Sequence, residues 1–239
     1  MPVNVFHGAR DRVYPFKFAG RIEVVQLMGG NPSHPNVAEG WLRTKLGLDG
    51  EALNRAVEEV MADRGISSDE AISEVSALRH LIGFLRDPDE DGAIYIRGYQ
   101  LKAALKEAAS VARAAKNLSS RMGDTNKGTQ AFVAEHIIVV EDRLYVGKYD
   151  RAGRIYNVTE PDGIRQSFPK NQRTGQTGIQ NAEFVMNAVI DFTVITDWPF
   201  SREEWETIWL TGGYQGIGAS RSQGFGRYDI TRWDPIKTK

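Results

Sequence analysis

The segment Phe184–Thr196, FVMNAVIDFTVIT, places Met186, Ala188, Ile190, Phe192 and Val194 on one face of an extended chain. Strict alternation of this kind marks a strand with one buried face, and the β-branched and aromatic content agrees with it. The residues that follow set the order of the C-terminal half. Ser201 stands in N-cap position, Glu203 and Glu204 place negative charge in the first helical turn, and Trp205, Ile208 and Trp209 form an inner face. A glycine-rich stretch, GGYQGIGASRSQGFGR over 212–227, then leads into a last strand.

Working back toward the N-terminus, Phe18–Met28 (FAGRIEVVQLM) predicts a first strand with Ile22, Val24, Gln26 and Met28 on one face and Val25 and Leu27 on the other. It ends at Gly29-Gly30, and NPSHPN forms a loop. Two helices are expected next. One carries Ala52, Leu53, Ala56, Val57, Val60 and Met61; the other opens with Ser67 and Glu70 in capping-box spacing and carries Ile72, Val75, Leu78, Leu81, Ile82 and Leu85. DPDEDG breaks the chain, and a short AIYI strand enters an alanine-rich helix over Tyr99–Asn117. SSRMGDTNKGTQ reads as a polar loop, and Phe132–Val140 with Leu144–Val146 as a hairpin. Residues 149–183 have no clear period and are expected to form a long functional or mobile loop. With residues 49–91 set aside as a helical insertion, the order is strand, helix, hairpin with a long loop, strand, helix, strand. The expectation is an α+β chain with a ferredoxin-like or RRM-like βαββαβ core, one domain over 1–239.

Charge is distributed unevenly along this plan. Residues 49–91 hold twelve acidic and four basic side chains, a net of -8, so with the whole chain at -1 the remainder carries +7. On the alanine-rich helix Lys102, Lys106, Arg113 and Lys116 fall within about 80° of arc, one basic stripe. The chain has no cysteine, which excludes disulfides and thiolate metal sites, and its four histidines are scattered. Neither a metal nor a cofactor is expected. The N-terminal MPVNVFHGARDR has no apolar run of signal-peptide length, and no 18-residue apolar stretch occurs, so the expected location is cytoplasmic, with no membrane partner.

In the stretch 212–227, six glycines surround Ser220, Arg221, Ser222 and Arg227. Glycines allow a main chain to approach a ligand and to turn N–H groups inward, which suits phosphate oxygens, and arginine and serine add donors. A dinucleotide-binding turn would need a strand before it and a helix after, the reverse of the order here, and the Gly-Lys-Ser/Thr of a nucleotide P-loop is missing.

GIGASRSQGFGRYDI resembles the C-terminal glycine-rich loop of the RAMP superfamily of CRISPR-associated proteins, which have RRM-like cores. YIRGYQLKAALKEAA is similar to a second signature of that superfamily, a strand ending in an Arg-Gly turn and a helix opening with a lysine. GRIEVVQLMGG resembles its opening strand. The resemblance implies an RNA-binding subunit of an antiviral ribonucleoprotein complex, cradling guide RNA along its phosphate backbone. Its partners would be guide RNA, other CRISPR effector subunits or copies of itself, and a target nucleic acid. The implied RNA-binding residues are Arg97, Gly98, Lys102, Lys106 and Arg113; Gly216, Gly218, Ser220, Arg221, Ser222, Gly224, Gly226 and Arg227; and Phe168 as a base wedge with Lys170 and Arg173 on the 149–183 loop, which the resemblance makes a thumb over Arg151 to Asn181. Target-cleaving members use an aspartate after the first strand, where this chain offers His34 and Glu39, so no catalytic residue is expected. Two alternatives stay open. A metal-independent guide-processing endoribonuclease would use His34 as general base. A stand-alone relative that docks onto an effector complex, inhibiting or replacing a subunit, would suit the acidic insertion.

Overall fold

The computed structural model describes residues 13–32, 61–62, 81–115, 117–118, 120–167 and 180–236. In chain order they form β1 (Phe16–Met28), β2 (Asn31–Pro32), β3 (Leu81–Gly83), β4 (Leu85–Asp87), β5 (Ala93–Arg97), α1 (Gly98–Ala114), α2 (Asn126–His136), β6 (Ile137–Val139), β7 (Arg143–Tyr145), β8 (Gly147–Tyr149), β9 (Ile155–Asn157), β10 (Gly163–Ser167), β11 (Gln180–Thr196), α3 (Arg202–Gln215) and β12 (Tyr228–Pro235). The fold is α+β. The chain divides into two compact units, one of Met1–Leu27, Arg86–Glu160 and Met186–Lys239, the other of Met28–Leu85 and Pro161–Val185.

In the first unit the sheet runs β12-β1-β11, with β6 antiparallel to β11 through Val194↔Val139. β1 and β12 are antiparallel, with a register shift between Arg21 and Ile22 where Thr231 of β12 is left unpaired, and Ile22 and Val24 face the buried side. Gly20 is required there, because a Cβ would lie 2.3 Å from the Phe192 ring. That ring belongs to an aromatic core in which Phe18 stacks on Trp233, and Trp205 and Trp209 of α3 pack against the same Trp233. Large buried rings of this kind each cost about 3–5 kcal/mol when truncated. α1 buries Leu101, Leu105, Ala108 and Ala112 and packs on both α2 and α3; its small residues let the other helices come close.

α3 is held at its start as expected. Ser201 Oγ accepts from the Glu204 N–H, and the Glu204 carboxylate accepts from the Ser201 N–H. Burial alone would push the Glu204 carboxyl up, but the Arg121 guanidinium and the Ser201 N–H hold it below its usual range.

β4, β5 and β7 form a separate small sheet. The Asp87 carboxylate is buried there and accepts from the Tyr145 hydroxyl at 2.5 Å, from the Asp89 N–H and from Arg143. The hydroxyl first, then Arg143, lowers its pKa against the opposing effect of burial. A carboxylate whose folded pKa lies below its unfolded value, about 3.9, stabilises the fold at every higher pH and loses that contribution as pH falls toward the folded pKa. Asp87→Asn is therefore expected to destabilise at pH 7 and to flatten the acid limb of the stability curve. Urea midpoints between pH 6 and pH 3 check this; parallel curves for the two proteins would assign the acid sensitivity elsewhere.

The second unit pairs β2 with β3 antiparallel, β3 with the start of β11 parallel, and β10 with β11 antiparallel. Gly29 is needed where the chain turns out of β1, since a Cβ would lie 2.4 Å from the Gly83 carbonyl carbon. The buried Glu183 carboxylate accepts from the Phe84 N–H at 3.0 Å.

Several sequence expectations are corrected. Leu81, Ile82 and Leu85 lie in β3 and β4, not on a helix, because sheet pairing overrides a stripe that also fits helical spacing. Phe132–His136 is the end of α2, and α2 begins inside the expected polar loop, capped by Thr125 Oγ1 on the Gly128 N–H. The expected hairpin does not form, since β6 pairs with β11 and β7 with β5. Within 149–183 the chain holds β9 and β10. Met186 is exposed, because Asn187 at φ 51° interrupts the alternation between it and the buried Ala188, Ile190, Phe192 and Val194. The two expected insertion helices fall almost wholly outside the described residues.

Candidate nucleic-acid interface

The stretch from α3 to β12 is tied down at its stem and open at its tip. The Ile217 N–H donates to the Gly226 carbonyl at 2.9 Å, the Gly226 N–H donates to the Gln26 carbonyl at 2.9 Å, and the Val25 N–H donates to the Arg227 carbonyl at 3.1 Å. Both stem glycines are left-handed, Gly216 at φ 80° and Gly226 at φ 73°. A Cβ on Gly216 would lie 2.6 Å from the Phe225 carbonyl oxygen, and one on Gly226 would lie 1.9 Å from that of Ile217. Gly212 and Gly213 serve the core instead, with Cβ positions 2.2 Å from the Tyr228 hydroxyl and 2.4 Å from the Tyr228 carbonyl oxygen. Burial pushes the Tyr228 hydroxyl pKa far up, an effect that the charge of Arg221 opposes. Four of the six glycines thus hold chain segments close, and Gly218 and Gly224 belong to the tip.

The tip borders a cleft of about 500 Å³ lined by Glu107, Tyr214, Gln215, Gly218, Ser220, Arg221 and Ser222. Among the described residues, the N–H groups of 218–222 meet no hydrogen-bond acceptor. An arginine beside exposed backbone N–H groups supplies the kind of donors an anion uses. Arg221 meanwhile donates to the Glu107 carboxylate of α1 at 2.6 Å. Ser222 and Arg227 are exposed.

The remaining predicted residues divide into several groups. Lys102 and Lys106 are half-buried on α1, and neither has a carboxylate partner among the described residues. Burial, and then the Lys106 charge, lowers the Lys102 pKa. Arg97 is engaged by Asp142 at 2.6 Å and lies over the Tyr95 ring, and Gly98 is required because a Cβ would sit 2.0 Å from the Glu141 carbonyl oxygen. Arg113 donates to the Leu118 carbonyl, closing the end of α1. His34, Lys116, Phe168, Lys170 and Arg173 lie outside the described residues.

The tip and the lysines are separate patches. Lys102 is about 140° around α1 from Glu107, which faces the cleft. The sheet surface opposite the helices is occupied by internal pairs, Arg21 with Asp191 at 2.8 Å and the Tyr149 hydroxyl on Glu23 at 2.8 Å. Three cleft residues, Glu107, Tyr214 and Gln215, escaped the sequence reading. Glu107 is the one acidic residue between Arg97 and Arg121, and Tyr214 follows two glycines; both were visible as residues, but their convergence with Arg221 depends on how α1 packs on α3.

The described residues define an α+β protein with a cleft, lined in part by the paired Arg221 and Glu107, beside a glycine-rich loop. The chain matches no protein-family profile and no curated protein. It is similar to a chain in the solved structure of Type III-B Cmr-beta bound to cognate target RNA, at 11% identity and a TM-score of 0.45, over 98% of this chain and 64% of that one. The chain therefore spans less than two thirds of that neighbour's length.

Proposed function

We propose that the protein binds single-stranded RNA along its phosphate backbone, as a guide-RNA-holding subunit of a CRISPR effector complex, without chemistry of its own. The observation that carries the RNA-binding part is the cleft, where Arg221 lines an opening beside Gly218, Ser220 and Ser222 of the glycine-rich tip. Phosphate contacts of this kind position a strand without reading its bases. The resemblance of GIGASRSQGFGRYDI and YIRGYQLKAALKEAA to RAMP signatures supports the guide-RNA part. Lys102 and Lys106, half-buried on α1 with no carboxylate partner among the described residues, supply a second electropositive patch for RNA.

The test is binding of a fluorescent single-stranded RNA across a salt series. The wild type should show log K falling linearly with log salt, about 0.7 per phosphate contact. Lys102→Glu should weaken binding and lower that slope while the thermal midpoint stays unchanged. Absence of RNA binding by the wild type, or a slope that Lys102→Glu leaves intact, would remove the proposal or this patch from it, respectively.

A further inference from the structure

The cleft holds its own substitute for a phosphate. The Glu107 carboxylate sits 2.6 Å from Arg221 Nη1, in the place a phosphodiester oxygen would take, and both side chains are partly open to water, at 47% and 34% exposure. Beside them the Tyr214 ring is 77% exposed and, among the described residues, makes no ring contact. An aromatic ring of that size left bare at the end of a packed helix offers a face for a base, and stacking tolerates any base because every base has a π-face. Tyr214 and Arg221 line the same cleft.

We propose that this cleft seats one unpaired nucleotide: its phosphate takes Arg221 from Glu107, and its base stacks on Tyr214. The proposal rests on the RNA-binding reading above and adds to it the state of the strand and the residue that gates entry. Glu107 sets a threshold, because an incoming anion must outcompete a carboxylate already in place. A phosphodiester within a polyanion does so, because it brings the charge of its neighbours and the stacking of its base on Tyr214 along with its own oxygens. A base already paired in a duplex has no free face for Tyr214, so the seat discriminates in favour of single strands.

The experiment uses the full chain with a fluorescent oligouridine, alone and annealed to its complement. Glu107→Gln should tighten single-strand binding several-fold, and this gain should vanish when Arg221→Ala is also present. Tyr214→Ala should weaken single-strand binding by about five- to a hundredfold, the range of base-aromatic stacking, while Tyr214→Phe keeps affinity and duplex binding stays unchanged by either. Thermal melts of each variant show whether the fold is intact. If Arg221→Ala abolishes binding but Glu107→Gln and Tyr214→Ala have no effect, the nucleotide seat is wrong and RNA binding stands. If Tyr214→Ala weakens duplex and single strand alike, the seat is also overturned. If the wild type binds neither oligonucleotide, both readings fall.

Discussion

Arg221→Ala is expected to weaken single-stranded RNA binding by about ten- to a hundredfold, the loss that follows from removing a charged hydrogen bond of about 1.5–3 kcal/mol. Two effects combine in this variant. The guanidinium is lost as a donor, and Glu107, now without its partner at 2.6 Å, leaves an uncompensated negative charge at the mouth of the cleft. The salt slope should also drop by about 0.7 for the single lost contact. Arg221→Lys separates charge from geometry, because an ammonium keeps the counterion release but not the planar fork; its slope should match the wild type while affinity falls. Arg227, exposed beyond the stem, should show a weaker loss on replacement by alanine. Titration by fluorescence anisotropy at several salt concentrations measures all three. Unchanged affinity and slope in Arg221→Ala would exclude the cleft as the phosphate site.

The second large effect concerns the stem. Gly226→Ala places a methyl group 1.9 Å from the Ile217 carbonyl oxygen at a backbone with φ 73°. Left-handed strain of about 1–3 kcal/mol adds to disruption of the Ile217 and Gln26 hydrogen bonds, about 1 kcal/mol each. A total of about 3–5 kcal/mol corresponds to a fall in thermal midpoint of about 6–20 °C for a chain of this size. Gly224→Ala is the control. It has a similar φ of 86° but open space around the Cβ position, so only the left-handed cost of about 1–2 kcal/mol applies. RNA binding should fall steeply in Gly226→Ala and little in Gly224→Ala. Equal melting shifts in the two would show that the clamp adds nothing beyond backbone conformation.

The main elements were legible where periodicity runs long enough to declare itself. β1, β11, α1 and α3 each have at least thirteen residues, and their buried faces follow the expected pattern apart from the interruption at Asn187 and, in β1, the exposed Val25 beside the buried Leu27. The short pieces were not legible. Strands such as β3, β4 and β7 have three residues each, too few to distinguish a period of two from a helical stripe. α2 contains Gly128 and Thr129, poor helix formers locally, yet Thr129 and Val133 are buried and the helix packs on α1, so tertiary contact decides its conformation. In the site, Arg221 and the tip glycines were read from the stretch itself. Its pairing with Glu107 spans 114 residues and follows only from packing, as does the close approach of chain segments at four of the glycines.

The division of the glycine-rich stretch into a sealed stem and an open tip has a consequence for how such a protein changes over generations. At 216 and 226 any side chain collides with neighbouring main chain, so selection for folding alone closes those positions to variation. The intervening tip residues carry no comparable packing duty; Gly224 meets nothing within 4 Å where a Cβ would be. Ligand preference can therefore drift through substitutions at 218–224 while the scaffold that presents them is inherited unchanged, which makes the tip an interchangeable cassette on a fixed mount.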